Sequence, residues 1–403
     1  MDYGTLNKYF DGVAAKRLAA VDVDPKKSNQ HEFNGVSVLR SLFGDDDIKD
    51  MPARFVYLTD DADPLFDSGL MTWYDARRNI PNRTEYRLYY KDNAVIEQAR
   101  EGDLMVVALT GRGEVLVAIT RAESNMASQV CWLFGLDGAT TSFALSQADE
   151  ARVGSLAADL LECMGVKIDL PIAADAYLDG LIETFGNHFP RSAEFSRYAA
   201  ETLGELDWHS HPDESLLACY EREEMLFRLF ERYLVAGELE PFIRTDDIDG
   251  ILRIAMSTFQ RRKSHAGSAF ENQLRMLFDA RRISYSAQSY TEGKSKPDFI
   301  FPSIEAYHDT AFPVEALTML GAKTTIKERW RQVLDEADRI AEKHLITLEP
   351  AVSEAYTKAM QKDHLQLVVP RSLFATFTAV QQHWLMDVAD FCALVEGKQN
   401  KVC

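Results

Sequence analysis

The chain has 403 residues, 46% of them hydrophobic and 27% charged, and a formal net charge of −19. That length exceeds one ordinary core and suits two domains of usual size, and the composition is that of a globular protein, not a disordered or fibrous one. The acidic balance counts against a nonspecific coat on nucleic acid, which Lys and Arg drive, although only the local field over a groove decides whether DNA is bound.

No apolar run approaches the roughly 20 residues that span a bilayer, and the start MDYGTLNKYF lacks the basic and apolar blocks of a secretory signal. Cys131, Cys163, Cys219, Cys392 and Cys403 are scattered with no CxxC pair, which argues against a disulfide framework or a structural zinc site. A cytoplasmic protein with no membrane partner is the expectation. The charge is uneven: Arg253 to His344 carries 15 basic and 12 acidic side chains, while acidic runs such as GDDDIKD (44–50) and RTDDIDG (244–250) read as solvated loops.

In chain order, DLMVVALT, GRGE and VLVAIT read as a β-hairpin around a Gly turn, and VCWLFGL (130–136) as a further strand. From about 147 the pattern Val153, Leu156, Leu160, Leu161, Met164 predicts a helix. VKIDLPIAADAYLDG, with Pro171, then loses periodicity and suggests a boundary. This gives a β-rich N-terminal domain over 1–168 and a C-terminal domain over 169–403. The second opens with long amphipathic helices at 214–237 and 268–282. Strands ISYSAQ, DFIFPS, FPVEALTML, LITL and LQLVVP then alternate with helices, one of them over about 326–343. Alternation of this kind predicts an α/β sheet domain.

Three residues of that domain form a pattern with chemical meaning. Asp298 stands at the entry to the apolar strand FIF, Lys323 follows 25 positions later, and Glu336 13 beyond that. On a helix, Glu336 shares a stripe with Val333 and Ile340 and can point toward the strand ends. Two carboxylates can hold Mg²⁺ through hard oxygens, the ion can polarise a phosphate and activate water, and a lysine can stabilise the charge that develops. Each residue alone also has an ordinary explanation. PD commonly marks a turn before a strand, Lys323 fits a solvated loop, and Glu336 fits a surface acidic run. Glu271 fits a capping box SAFE with Ser268 as N-cap, beside or instead of a supporting role at a metal.

KPDFIFPS, EAYHDTAFPVEALTMLGAKTT, KERWRQVLDEADRI, KHLITLEP and LQLVVP together resemble the catalytic domain of the EcoRII-type restriction endonucleases, densely over 268–370. That family belongs to the PD-(D/E)XK nucleases in a permuted form. The resemblance implies a restriction-endonuclease-like mixed sheet flanked by helices. It implies Asp298, Lys323 and Glu336 as the catalytic set, with Asp298 and Glu336 on the metal and Glu271 as a fourth member. It gives Tyr307 an active-site role, against the alternative of an aromatic packing on the sheet. It also implies that Lys327, Glu328 and Arg329 read C:G pairs. An arginine can pair bidentately with guanine and a carboxylate can accept from cytosine. Glu328 stands where Asp is expected and Ile326 where Cys is expected, which leaves the sequence read open near CC(A/T)GG.

In the N-terminal half AAKRLAAVD, SNQHEFNGV, WYDARRNIPNRTEYRLYY and GDLMVVAL resemble the family's effector-DNA-binding pseudobarrel. On a strand, Arg83, Glu85 and Arg87 would alternate onto one face, able to read base edges or simply to pair with one another. Lys16, Arg17 and His31 would contact phosphate or bases. The combined expectation is a homodimeric type II restriction endonuclease that hydrolyses double-stranded DNA with Mg²⁺ and is regulated by a second DNA site. The alternatives are a nuclease that requires modified cytosine and a noncatalytic DNA-binding regulator.

Overall fold

The computed structural model describes residues 3–23, 31–80, 82–136, 142–146, 151–169, 176–293, 295–326 and 330–401. The chain divides into two compact units, 2–169 with 351–353, and 170–350 with 354–403.

In the first unit the strands are β1 (Phe10–Arg17), β2 (Glu32–Gly35), β3 (Ile48–Leu58), β4 (Leu65–Asp75), β5 (Tyr86–Tyr90), β6 (Leu104–Thr110), β7 (Val115–Thr120) and β8 (Ala144–Leu145). They form one mixed sheet in the order β2-β5-β4-β3-β7-β6-β1-β8. The expected hairpin is β6–β7, antiparallel with Leu104 opposite Thr120, and β3 runs parallel to β7. Short helices α1 (Ala20–Val23), α2 (Ser37–Phe43) and α3 (Ala94–Gln98) accompany it, followed by α4 (Asn125–Phe134) and α5 (Ser155–Cys163). Trp73 anchors the core: it is fully buried, stacks on Tyr86 at 5.0 Å between centroids, and donates its indole N–H to the Gly44 carbonyl at 3.1 Å. Burying so large a ring without stranding its N–H requires such an acceptor.

VCWLFGL is not a strand. It lies mostly in α4, where the Ser124 hydroxyl accepts the Ala127 amide at 3.0 Å as an N-cap and Gly135 ends the helix with φ +58°. A short apolar run has no decisive period; the cap and the glycine decide it here.

The second unit begins with α6 (Leu178–Phe185), α7 (Ser192–Glu201) and two long helices, α8 (Pro212–Arg244) and α9 (Ile248–Ala280). They pack through Phe195, Phe227 and Phe230 and through a buried polar cluster in which Glu223 accepts from Ser196 Oγ at 2.8 Å and Gln273 Nε2 at 2.7 Å. Ser268 is therefore inside α9 and is not an N-cap, and the SAFE capping box does not exist. The packing of α8 against α9 carries the helix straight through Gly267 and Ser268, and tertiary burial overrides the local signal.

A five-stranded sheet follows in the order β13-β12-β11-β10-β9: β9 (Ser286–Ala287), β10 (Phe299–Phe301), β11 (Thr318–Lys323), β12 (Lys343–Thr347) and β13 (Leu365–Val368). The β9–β10 and β10–β11 pairs are antiparallel, while β11, β12 and β13 are parallel. The connecting and flanking helices are α10 (Ile304–His308), α11 (Trp330–Leu334), α12 (Glu354–Lys362), α13 (Ala379–Gln382) and α14 (Val388–Gln399). Phe299 and Phe301 face Phe278 of α9, each at 5.2 Å edge to face, and Phe301 also meets Phe391 of α14. The mixed α/β architecture with a β-rich N-terminal region is thus the one expected.

Candidate active site

Asp298 directly precedes β10, whose three residues are completely buried. That explains a carboxylate at the entrance to a core. The strand is clamped between α9 and α14, so its first flanking residue is held rigidly, and Asp298 itself is only 6% exposed. Its charge is met by donors on both oxygens. Oδ2 accepts the Ala322 amide at 2.7 Å and the Lys323 ammonium at 2.8 Å, and Oδ1 accepts Gln288 Nε2 at 2.8 Å. Lys323 is the last residue of β11, antiparallel neighbour of β10, which is how two positions far apart in sequence form an ion pair.

Glu271 reaches the site from α9. It lies seven residues, two helical turns, before Phe278 and so on the face that packs on β10. Its carboxylate accepts Gln288 Nε2 at 3.1 Å. Its pKa is raised, first by burial and then by the Asp298 charge.

Glu336 is brought in by a different route from the one expected. Among the described residues the helix is only Trp330–Leu334, and Glu336 follows it in a bend, with Ala337 at φ +54°. Its place is fixed by its backbone: the Lys343 ammonium donates to the Glu336 carbonyl and, at 3.3 Å, to that of Ala337. Helix α11 can approach the sheet closely because β11 has Gly321, where a Cβ would stand 2.9 Å from Val333 Cγ2. Burial first, and then the Asp298 charge, push the Glu336 carboxyl up to about 7 despite Lys323 and Lys343, and its buried Oε2 has no hydrogen-bond partner. A half-neutralised carboxyl with an orphaned oxygen beside another carboxylate is the arrangement a bound cation relieves.

The donors suit a hard divalent ion. Among the described residues no three His, Cys, Asp or Glu side chains are gathered closely enough to hold an ion by themselves. Mg²⁺, however, keeps several waters and is commonly held by one or two carboxylates plus substrate phosphate. Asp298 and Glu336 are the residues that would hold it.

Tyr307 is buried on α10, not on a strand end, and its hydroxyl bonds Glu292 and accepts the Arg339 amide at 3.2 Å. Burial and the bond to Glu292 raise its pKa. Arg339 also donates to the carbonyls of Tyr307, Asp309 and Phe312, so the tyrosine belongs to a network that ties α10 to the bend after Glu336. Lys327, Glu328 and Arg329 lie outside the described residues.

In the first unit most of the candidate DNA contacts already have partners within the protein. Lys16 is buried in an ion pair with Asp22 at 2.8 Å, Arg17 donates to the Gly102 carbonyl at 3.2 Å, and His31 lies 3.0 Å from Asp92. Glu85 pairs with both Arg77 and Arg87. The shared strand face of Arg83, Glu85 and Arg87 is not there: β5 starts at Tyr86, and only Arg87 is in the strand. Asp75 accepts the amides of both Arg77 and Glu85, which holds Glu85 outside the strand that begins at Tyr86.

Sequence reasoning missed Gln288 and Lys343. Gln288 has no local signal; it emerges only from the antiparallel register that sets Ala287 opposite Phe299 and so Gln288 opposite Asp298.

A family profile described as EcoRII C terminal matches residues 227–392. That segment, about two fifths of the chain, is similar to the C-terminal part of EcoRII. The type II restriction enzyme EcoRII of Escherichia coli is 40% identical over 220 residues, 54% of this chain and 53% of EcoRII. SsoII of Shigella sonnei, also a type II restriction enzyme, is 32% identical over 115 residues, 26% of this chain and 36% of SsoII. The chain thus matches about half the length of EcoRII and about a third of SsoII. A solved structure of metal-depleted Ecl18kI in complex with uncleaved, modified DNA aligns with a TM-score of 0.47 at 20% identity, covering 58% of this chain and 86% of that one. The matched segment contains every residue of the candidate site.

Proposed function

We propose that this chain is a type II restriction endonuclease that hydrolyses double-stranded DNA at a short, two-fold-related site near CC(A/T)GG. The observation that carries the reading is the meeting of Asp298, Lys323 and Glu336 at the end of the sheet, with the Lys323 ammonium on one Asp298 oxygen and Glu336 destabilised as a charge. The match of residues 227–392 to the EcoRII C-terminal profile supports it.

In this mechanism a divalent ion, Mg²⁺ in the first instance, supplies Lewis-acid polarisation of the phosphate and activation of water when bound. Asp298, rigidly held by Ala322 and Lys323, and Glu336, fixed through its backbone by Lys343, orient that ion. Lys323 offers a charge-assisted hydrogen bond to the scissile phosphate as negative charge grows on its oxygens. Water adds to phosphorus and one P–O bond to deoxyribose breaks. Lys327, Glu328 and Arg329 read C:G pairs, and a homodimer matches the two-fold site with one centre per strand. The first unit, residues 1–168 in the sequence division, binds a second DNA copy through Lys16, Arg17, His31, Arg83, Glu85 and Arg87 and regulates cleavage; this requires the ion pairs of Lys16, His31 and Glu85 to open onto phosphate or bases. This function implies a cytoplasmic location; no helix among the described residues is long and apolar enough to cross a membrane.

The test is digestion of matched unmethylated and cytosine-methylated plasmids with Mg²⁺, with cut sites read by end sequencing. Cutting of unmethylated DNA at one short sequence is the expected result. Cutting of methylated DNA alone replaces this reading with modification-dependent restriction. No cutting of either, with excess target DNA added as effector, replaces it with a noncatalytic regulator.

A further inference from the structure

Gln288 stands between two carboxylates that come from different parts of the fold. Its carboxamide donates to Asp298 Oδ1 at 2.8 Å and to Glu271 Oε2 at 3.1 Å. Its own backbone N–H donates to the Asp298 carbonyl at 3.0 Å, so the residue that supplies the clamp is itself fastened to the strand it serves. Its backbone lies in the left-handed region, φ +53°, a conformation that a non-glycine residue adopts at a cost. Lys323 and the Ala322 amide occupy the other Asp298 oxygen. Each Asp298 oxygen is therefore oriented by a separate donor set, and Gln288 links that aspartate to Glu271 of α9.

We propose that Gln288 is a positioning residue of the cation site, and that by orienting Asp298 and holding Glu271 back from becoming an additional ligand it sets which divalent ion the site accepts. The inference rests on the reading of Asp298 as a cation ligand. Mg²⁺ demands near-ideal octahedral geometry at short distances, whereas Ca²⁺ accepts varied geometry and more ligands. A clamp on carboxylate spacing therefore favours the smaller ion. Hydrogen-bond partners of metal ligands typically contribute 10- to 100-fold to metal affinity.

The experiment is calorimetric titration of Mg²⁺ and of Ca²⁺ into the full chain, comparing wild type with Gln288→Met, Gln288→Asn and Asp298→Asn, with a thermal melt of each. Gln288→Met keeps the length and removes the donors. Gln288→Asn keeps an amide with too little reach and suits the left-handed backbone. Both variants are expected to weaken Mg²⁺ by about ten-fold or more and Ca²⁺ by clearly less, moving the preference toward Ca²⁺. Unchanged affinities, or equal losses for both ions, overturn the positioning role. Tighter binding of both ions overturns it in the opposite sense, because the amide then competes with the cation. If wild type binds neither ion, or Asp298→Asn binds as wild type does, the cation reading of the site fails and takes this inference with it. A wild type that binds through Asp298 with silent Gln288 variants isolates the failure to Gln288.

Discussion

The two units hold comparable numbers of candidate functional charges and treat them in opposite ways. In the N-terminal sheet, Lys16 is closed off by Asp22, Glu85 by Arg77 and Arg87, and His31 lies against Asp92. In the C-terminal sheet, three carboxylates crowd around one lysine, and burial plus like charge raises the pKa of two of them, Glu271 and Glu336. Satisfied pairs stabilise a fold weakly and need no ligand. Buried like charges cost stability and persist where something else is to bind. Under the proposed function, the contrast puts the chemistry in the C-terminal cluster and requires the N-terminal residues to exchange internal partners for DNA.

The largest effect is expected from Asp298→Asn, which replaces the residue on which four hydrogen bonds from Ala322, Lys323 and Gln288 converge. Mg²⁺-dependent cleavage should fall by about 10³-fold or more, measured as single-turnover nicking of a plasmid. Cleavage within ten-fold of wild type would remove the distinction between the two units.

Glu336→Gln tests the charge directly. Because the folded-state pKa, about 7, lies above the ordinary 4.5, the folded chain holds a proton that the unfolded chain releases between those values. Stability therefore falls as pH rises through that window, and the whole penalty is present above pH 7. The variant lacks this penalty. In EDTA it should be more stable than wild type at pH 8, by about 1–3 kcal/mol, with the difference vanishing toward pH 4.5 while cleavage is lost. Urea melts at the two pH values measure it, and an equal difference at both would contradict the assignment.

Gly321→Ala sharpens the comparison through packing. The added methyl meets Val333 Cγ2 at 2.9 Å and pushes α11, and with it Glu336, away from the sheet. A stability loss of about 1–3 kcal/mol is expected, largely recovered by adding Val333→Ala. No recovery would mean that the strain lies elsewhere.

The smallest effect should come from Arg87→Ala. It breaks a partly buried pair with Glu85 and a hydrogen bond to Asn34, so stability should change by about 1 kcal/mol, while fluorescence anisotropy should show weaker binding of a second DNA copy. Unaltered binding would leave Arg87 a structural residue.

Much of the C-terminal unit is legible in the sequence because its signals are local. A Pro-Asp step before FIF announces a buried strand with a carboxylate at its mouth, and TMLGAK ends a strand in a lysine. What was illegible depended on tertiary contacts. Glu336 was found by spacing, yet its helix stops at Leu334, and Lys343 from the next strand holds the bend. SAFE imitates a helix start, but packing of α8 on α9 runs the helix through it. Gln288 needs the β9–β10 register before it means anything. VCWLFGL was misread because a short apolar run fits either period, although Ser124 before it and Gly135 near its end were the capping signals to weigh.

The most direct test of the central claim is Lys323→Ala, assayed for Mg²⁺-dependent DNA cleavage and for DNA binding in the same preparation. Cleavage abolished with binding retained is the predicted result, since the ammonium contributes to the transition state while affinity comes from contacts spread over the DNA surface. Cleavage at the wild-type rate would show that the Asp298–Lys323–Glu336 cluster is not where the phosphodiester is broken.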